Sequence, residues 1–249
     1  MPFTFSHPAA IVPLNYVAKE WLSLSALVLG SIVPDFEYFI RMKVLSIYSH
    51  TWVGLFWYDL PLALIILLVY TRFIKDKLIA HLPSGINVRF SQYQNNKVKY
   101  DLLYFVIAIV SILIGAASHI LWDSFTHPAG YFVKHHHILK HKMLIANHSV
   151  AFYNMLQHIS SAIGALIVIY AVYRMPKGDL TNVGAGRIAR YWGGMVLIAL
   201  IVVLIRLAAG LNLVQQYGDV IMSAISGFLL GLIIFSILTP TPVKRVAQK

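Results

Sequence analysis

Apolar residues run along this chain in long blocks separated by short polar or basic stretches. Five blocks, at roughly 54–72, 102–122, 155–173, 192–209 and 221–238, are long enough to cross a bilayer as helices. A sixth, at about 21–33, is short and closes on Gly30 and Pro34, which predicts a buried, re-entrant or half-spanning helix. The expected fold is all-α: a polytopic helical membrane protein of about five transmembrane helices plus a short N-terminal helix, in a single domain over 1–249. Three polar residues at four-residue spacing, His119, Asp123 and His127, break the pattern at the exit of the second block, in GAASHILWDSFTHPAG.

Composition agrees with the pattern. Hydrophobic residues make up 59% and charged residues 12%, with a mean hydropathy of +0.72, outside the range of ordinary soluble domains. The net charge of +11 sits in loops beside the spans, which favours anionic lipid over nucleic acid as the partner. Arg72, Lys75, Lys77, Arg89, Lys97 and Lys99 follow the first span, Arg174, Lys177, Arg187 and Arg190 the third, and Lys244, Arg245 and Lys249 the fifth. In a five-span arrangement these regions share a side, the cytoplasmic one. The other face then carries the N-terminal segment 1–53 and the His-rich loop 123–152, and 239–249 is a basic cytoplasmic tail. With no cysteine, disulfides and thiolate metal sites are excluded. The N-terminus lacks the basic region of a signal peptide and is expected to belong to the mature fold.

Histidine and aspartate inside a span are expensive without a partner. A helix places His119 and Asp123 on one face, and imidazole beside carboxylate is a ligand set suited to zinc or another divalent ion. His119 and His127 lie about 12 Å apart along a straight helix. Either the helix ends near Ser124–Thr126, ahead of Pro128 and Gly130, or the two histidines serve neighbouring ions with Asp123 between them. Three segments before the first span add candidates: His7 in SHPAA, where Pro8 suits a helix start, Asp35 and Glu37 in GSIVPDFEYF, and His50 in YSHTW. The five-span topology puts His7, Asp35, His50, His119, Asp123 and His127 on one face. The KHHHILKHK run, with His135, His136, His137 and His141 among lysines, suits headgroup contact better than a cation site. Arg206 is expected to snorkel or to pair with Asp219, and the small residues of SSAIGA and SGFLLG to permit close helix packing.

The segments PFTFSHPAA, GSIVPDFEYF, YSHTW and HILWDSFTHPAG resemble the DUF4184 family of bacterial membrane proteins over most of the chain. A sparser likeness extends to the YdjM-type inner-membrane metal-dependent hydrolases and to the zinc-dependent phospholipase C and S1/P1 nuclease superfamily. That distant resemblance implies a zinc centre hydrolysing phosphoesters, with ligand roles carried over to His7, Asp35, His50, His119, Asp123 and His127. The soluble hydrolases also use their mature N-terminal amine and a later HxxxE pair. No HxxxE occurs here, and His148 and His158, which are possible further ligands, have no carboxylate four residues on.

The leading expectation is a metal-dependent membrane hydrolase with one to three zinc ions, acting on a phosphoester or phospholipid-like substrate at the outer interface. Asp35 and Asp123 are its expected catalytic residues. The alternative is a non-enzymatic membrane scaffold or metal-binding partner protein, and a transporter comes third.

Overall fold

The apolar blocks fold as helices of very unequal length. In the computed structural model, which describes residues 3–240 apart from 19, 97, 146, 147 and 182, a 3-10 helix at Thr4–Ala10 leads into α1 (Val12–Val17) and α2 (Leu24–Ile32). A 3-10 turn at Val33–Asp35 joins α2 to α3 (Phe36–Arg41), and α4 (Leu60–Val69), α5 (Lys75–His81) and α6 (Ser84–Phe90) follow. The long α7 (Leu102–Thr126) is succeeded by α8 (Tyr131–His135), α9 (His137–Lys140) and an antiparallel hairpin of β1 (Lys142–Ile145) and β2 (His148–Ala151). Three long helices complete the chain: α10 (Phe152–Arg174), α11 (Ala185–Ala208) and α12 (Tyr217–Leu238).

Four helical stretches are long and apolar enough to cross a membrane: Leu102–His135, which contains α7, Phe152–Arg174, Ala185–Ala208 and Tyr217–Leu238. The protein is an integral membrane protein. Side chains such as Ile159, Ile163, Leu166 and Ile169 on α10 are exposed, as lipid-facing residues are. The expected span at 54–72 is also helical, but α4 is flanked by π-helical turns at Leu55–Asp59 and Tyr70–Ile74. Pro61 explains the first, because it has no N–H to donate and its ring crowds the preceding turn. The sequence block at 21–33 is the short, buried α2. Lys97 and the basic tail after 240 lie outside the described residues.

The chain divides into two compact units, one of residues 1–35, 47–67 and 100–171, the other of 36–46, 68–99 and 172–249. In the first, α2 packs along α7. The contact stripe on α7 is Ala108, Ser111, Ile112, Gly115, Ala116 and His119, all buried at helical spacing. Gly30 does not break α2. It lies inside the helix, where a Cβ would collide with the backbone of Ile112, and a Cβ on Gly115 would come within 2.6 Å of the Ser31 backbone nitrogen. The glycines therefore let the two backbones touch, and the pair is pinned at its start by the Ser23 N–H donating to Ser111 Oγ at 2.9 Å.

The second unit centres on α11 against α12, where Gly227 and Gly231 of SGFLLG meet Ala199 and Met195, as the small-residue spacing predicts. Arg206 and Asp219 are not a salt bridge among the described residues. Arg206 donates to the Met42 carbonyl at 3.3 Å and Asp219 accepts the Val44 N–H at 2.7 Å, so both hold the turn after α3. A turn with buried backbone groups needs such partners more than the two side chains need each other.

Candidate metal centre

The buried stripe of α7 continues past the end of α2 with His119 and Asp123, one turn apart. What faces them there is polar: the Val33–Asp35 turn, the Thr4–Ala10 helix and the loop carrying His50. All belong to the first unit. His119, Asp35, His7 and Asp123 are 0%, 0%, 4% and 5% exposed, so water does not solvate this cluster and its donors must satisfy one another or an ion.

Their spacing favours an ion. His50 Nε2 lies 3.2 Å from Asp35 Oδ1 and 3.5 Å from Asp123 Oδ2, and His119 Nε2 lies 3.5 Å from each of the same oxygens. The two Nε2 atoms are 3.4 Å apart. A tetrahedral zinc with ligands at about 2.0–2.1 Å has ligand-to-ligand edges of about 3.3–3.4 Å. Five edges of such a tetrahedron are thus already in place. Asp35 Oδ1 and both Asp123 oxygens are buried without a hydrogen-bond partner, although imidazole nitrogens stand close by. Imidazole nitrogens and carboxylate oxygens that converge on one point, with the oxygens left unsatisfied, are what a cation site requires.

Outer contacts orient the ligands. His119 Nδ1 donates to the Ser31 carbonyl at 2.8 Å, which leaves Nε2 as the lone-pair nitrogen. His50 Nδ1 is paired with Ser49 Oγ at 2.9 Å, and Thr4 Oγ1 donates to Asp35 Oδ2 at 2.6 Å. Thr4→Val is expected to lower zinc affinity roughly 10–100-fold with the fold intact, the usual effect of losing an outer partner, as a competitive chelator titration would read. His50 has φ +59°, a left-handed backbone that aims its ring inward.

His7 is the fifth member. Its ring stacks on His119 at 3.7 Å, and its Nε2, also without a hydrogen-bond partner, lies 3.8 Å from Asp123 Oδ1. Burial first, then neighbouring His119, pushes its pKa down to about 3, so it is a neutral imidazole. Burial alone pushes Asp35 up, but His119 and His50 outweigh it and hold the carboxyl below its ordinary value, ionised. Both are in the form a metal binds. In metal-free protein, the unfolded chain protonates His7 near pH 6.5 and the folded one does not. The stability that a neutral His7 contributes is therefore complete above pH 6.5 and is lost progressively as pH falls below it. His7→Phe is expected to flatten this part of the melting-temperature profile.

Of the six expected ligands, the structure brings five together. The groups able to hold an ion among the described residues are His7, His119 and Asp123, and Asp35, His50 and His119. His127 belongs to neither group. α7 ends at Thr126, as the first of the two geometric alternatives requires; His127 caps it by donating its backbone N–H to the Asp123 carbonyl at 2.9 Å, and its Nδ1 accepts the Ala129 N–H at 3.2 Å. Glu37 lies in the second unit, occupied by Arg41 Nε at 2.8 Å and Ser46 Oγ at 3.3 Å. His148 on β2 and His158 on α10 are exposed and outside both groups, as are His135, His136, His137 and His141. Thr4 and the Ser31 carbonyl were not legible as site members, since nothing in their local sequence points to Asp35 or His119. Ser49 had a weak signal, its adjacency to His50 in YSHTW.

A family described as a domain of unknown function, DUF4184, matches residues 1–237. The chain belongs to the DUF4184 family. Its match includes all five clustered residues of this DUF4184 protein together with Thr4 and Ser49. No curated protein and no solved structure matches the chain, so the likeness to YdjM-type proteins and to the zinc-dependent phospholipase C and S1/P1 nuclease superfamily rests on the residue pattern alone.

Proposed function

We propose that this protein is a metal-dependent hydrolase of the bacterial inner membrane, acting on a phosphoester or phospholipid-like substrate at the outer interface. The observation that carries the reading is the set of five donor separations of 3.2–3.5 Å among His50, His119, Asp35 and Asp123, with buried oxygens that no hydrogen bond satisfies. A bound zinc or similar divalent ion supplies Lewis-acid charge at a phosphoryl oxygen and makes water more nucleophilic. Asp35, His50, His119 and Asp123 fix its place. Asp123 Oδ1 and His7 Nε2 remain as a polar pair beside those four ligand atoms. In the reaction, the oxygen of water joins phosphorus, the ester P–O bond breaks and a water proton leaves with the alcohol.

Two features support the outward, interfacial placement. Trp52, Trp57, Trp122 and Tyr131 of the first unit are exposed near the cluster's end of α7 or in the segment before α4, as interfacial aromatics are. The basic residues of 72–101 and 174–190 follow the first and third apolar blocks, as cytoplasmic loops of a five-span chain would.

A specific observation favours a second reading, a structural ion clamp in a scaffold protein: four protein donors fill a tetrahedron, whereas catalytic zinc sites ordinarily keep a position open. Purified protein assayed for zinc and for turnover of phosphate mono- and diesters separates the two. Turnover that disappears in Asp35→Ala, with helicity retained, supports the hydrolase. Zinc held without turnover, and a melting temperature that drops on chelation, supports the clamp.

A further inference from the structure

His7 has a second face. Besides stacking on His119, it lines a groove of about 590 Å³ between the Thr4–Ala10 helix, the last turns of α7 and the first half of α10, all within the first unit. The walls are apolar, formed chiefly by Ala9, Ala10, Phe125, Leu156, Ile163 and Ile167. Its hydroxyls are already used: Ser6 Oγ donates to the Ser161 carbonyl at 2.8 Å, Thr126 Oγ1 to Trp122 at 3.2 Å and Ser160 Oγ to Gln157 at 3.1 Å. Among the described residues, His7 is the one lining residue with a side-chain atom, Nε2, that is buried without a hydrogen-bond partner.

We infer that this groove holds an acyl chain of a membrane phospholipid, with the lipid's phosphoester end at His7. Apart from the Trp122 indole and His7, the lining offers a peptide backbone no free side-chain donor and no charge, whereas hydrocarbon needs only apolar contact. Its α10 wall lies within a candidate span, and Ile159, Ile163 and Ile167 form an exposed stripe at four-residue spacing, so the groove opens sideways along the helix, where lipid chains are. One boundary is fixed at Gly164, where a Cβ would come within 2.9 Å of Ser6 Cβ and α10 meets the N-terminal helix. The occupancy stands on these features, and that the bound lipid is the substrate rests on the hydrolase reading.

The test uses the full chain in vesicles of phosphatidylethanolamine and phosphatidylglycerol doped with a phospholipid carrying a diazirine on its acyl chain. After irradiation, adducts mapped by mass spectrometry are expected on Phe125, Ile159, Ile163 and Ile167. Filling the groove with Ile163→Trp, or with Ala10→Leu should the first variant not fold, is expected to reduce them about tenfold, whereas Leu204→Trp on the exposed face of α11 leaves them unchanged. Adducts spread evenly over the exposed helices and indifferent to Ile163→Trp overturn the inference. Turnover of a water-soluble phosphodiester, bis(4-nitrophenyl) phosphate, keeps the two readings apart. If the groove labels and no phosphoester is cleaved, the lipid site stands and the hydrolase reading falls. If the diester is cleaved and the groove does not label, the reverse holds.

Discussion

Asp123→Ala is expected to lose bound zinc, with affinity down by more than about 100-fold, beyond what removal of an outer partner costs. Asp123 Oδ2 supplies two of the five short donor separations, and its Oδ1 lies 3.8 Å from His7 Nε2. Without it, Asp35, His50 and His119 remain as a three-ligand remnant with no carboxylate on the His7 side. Turnover, if the centre is catalytic, goes with the metal. Competitive chelator titration reads the affinity and circular dichroism the fold, with Asp219→Ala as the control, because that carboxylate serves the Val44 N–H in the second unit. Retention of zinc at the wild-type level in folded Asp123→Ala would remove the centre from this part of the molecule.

Gly115→Val is expected to be the most damaging substitution away from the ligands. Its side chain would enter the space held by the Leu27 carbonyl and the Ser31 backbone, forcing α2 off α7. Overpacking of a tight contact typically costs about 1–3 kcal/mol, and here the obstacle is backbone, which has no rotamer to yield. The displacement also moves the Ser31 carbonyl that orients His119 and the Val33–Asp35 turn that carries Asp35. Melting temperature and zinc affinity are therefore expected to fall together in Gly115→Val, whereas Gly193→Val on α11, which meets open space, leaves both near wild type. A destabilised Gly115→Val that binds zinc normally would show that helix packing and ligand geometry are independent.

Sequence periodicity revealed the part of the site that lies within one helix. His119 and Asp123 are one turn apart on a face that is apolar before them, and the i, i+4 rule places both in the same stripe. The convergence of His7, Asp35 and His50 on that pair depends on how α2 and the N-terminal helix pack against α7, and a single sequence carries no direct signal of such contacts. Gly30 shows the ambiguity in miniature: beside Pro34 it reads as a helix end, yet it sits inside α2 because Ile112 leaves no room for a side chain. His127 was misleading for the opposite reason, since the HxxxDxxxH spacing suggests a helical triad and the helix stops one residue before its third member. The long apolar helices were legible from composition and run length. The π turns around α4 were not, although the first of them accommodates Pro61.

The metal content of the wild-type protein, purified in detergent, supplied with zinc and passed through a desalting column, tests the centre most directly. About one tightly held zinc per chain, with X-ray absorption showing only nitrogen and oxygen ligands at about 2.0–2.1 Å, is the expected result. Protein that emerges metal-free after exposure to zinc would contradict it.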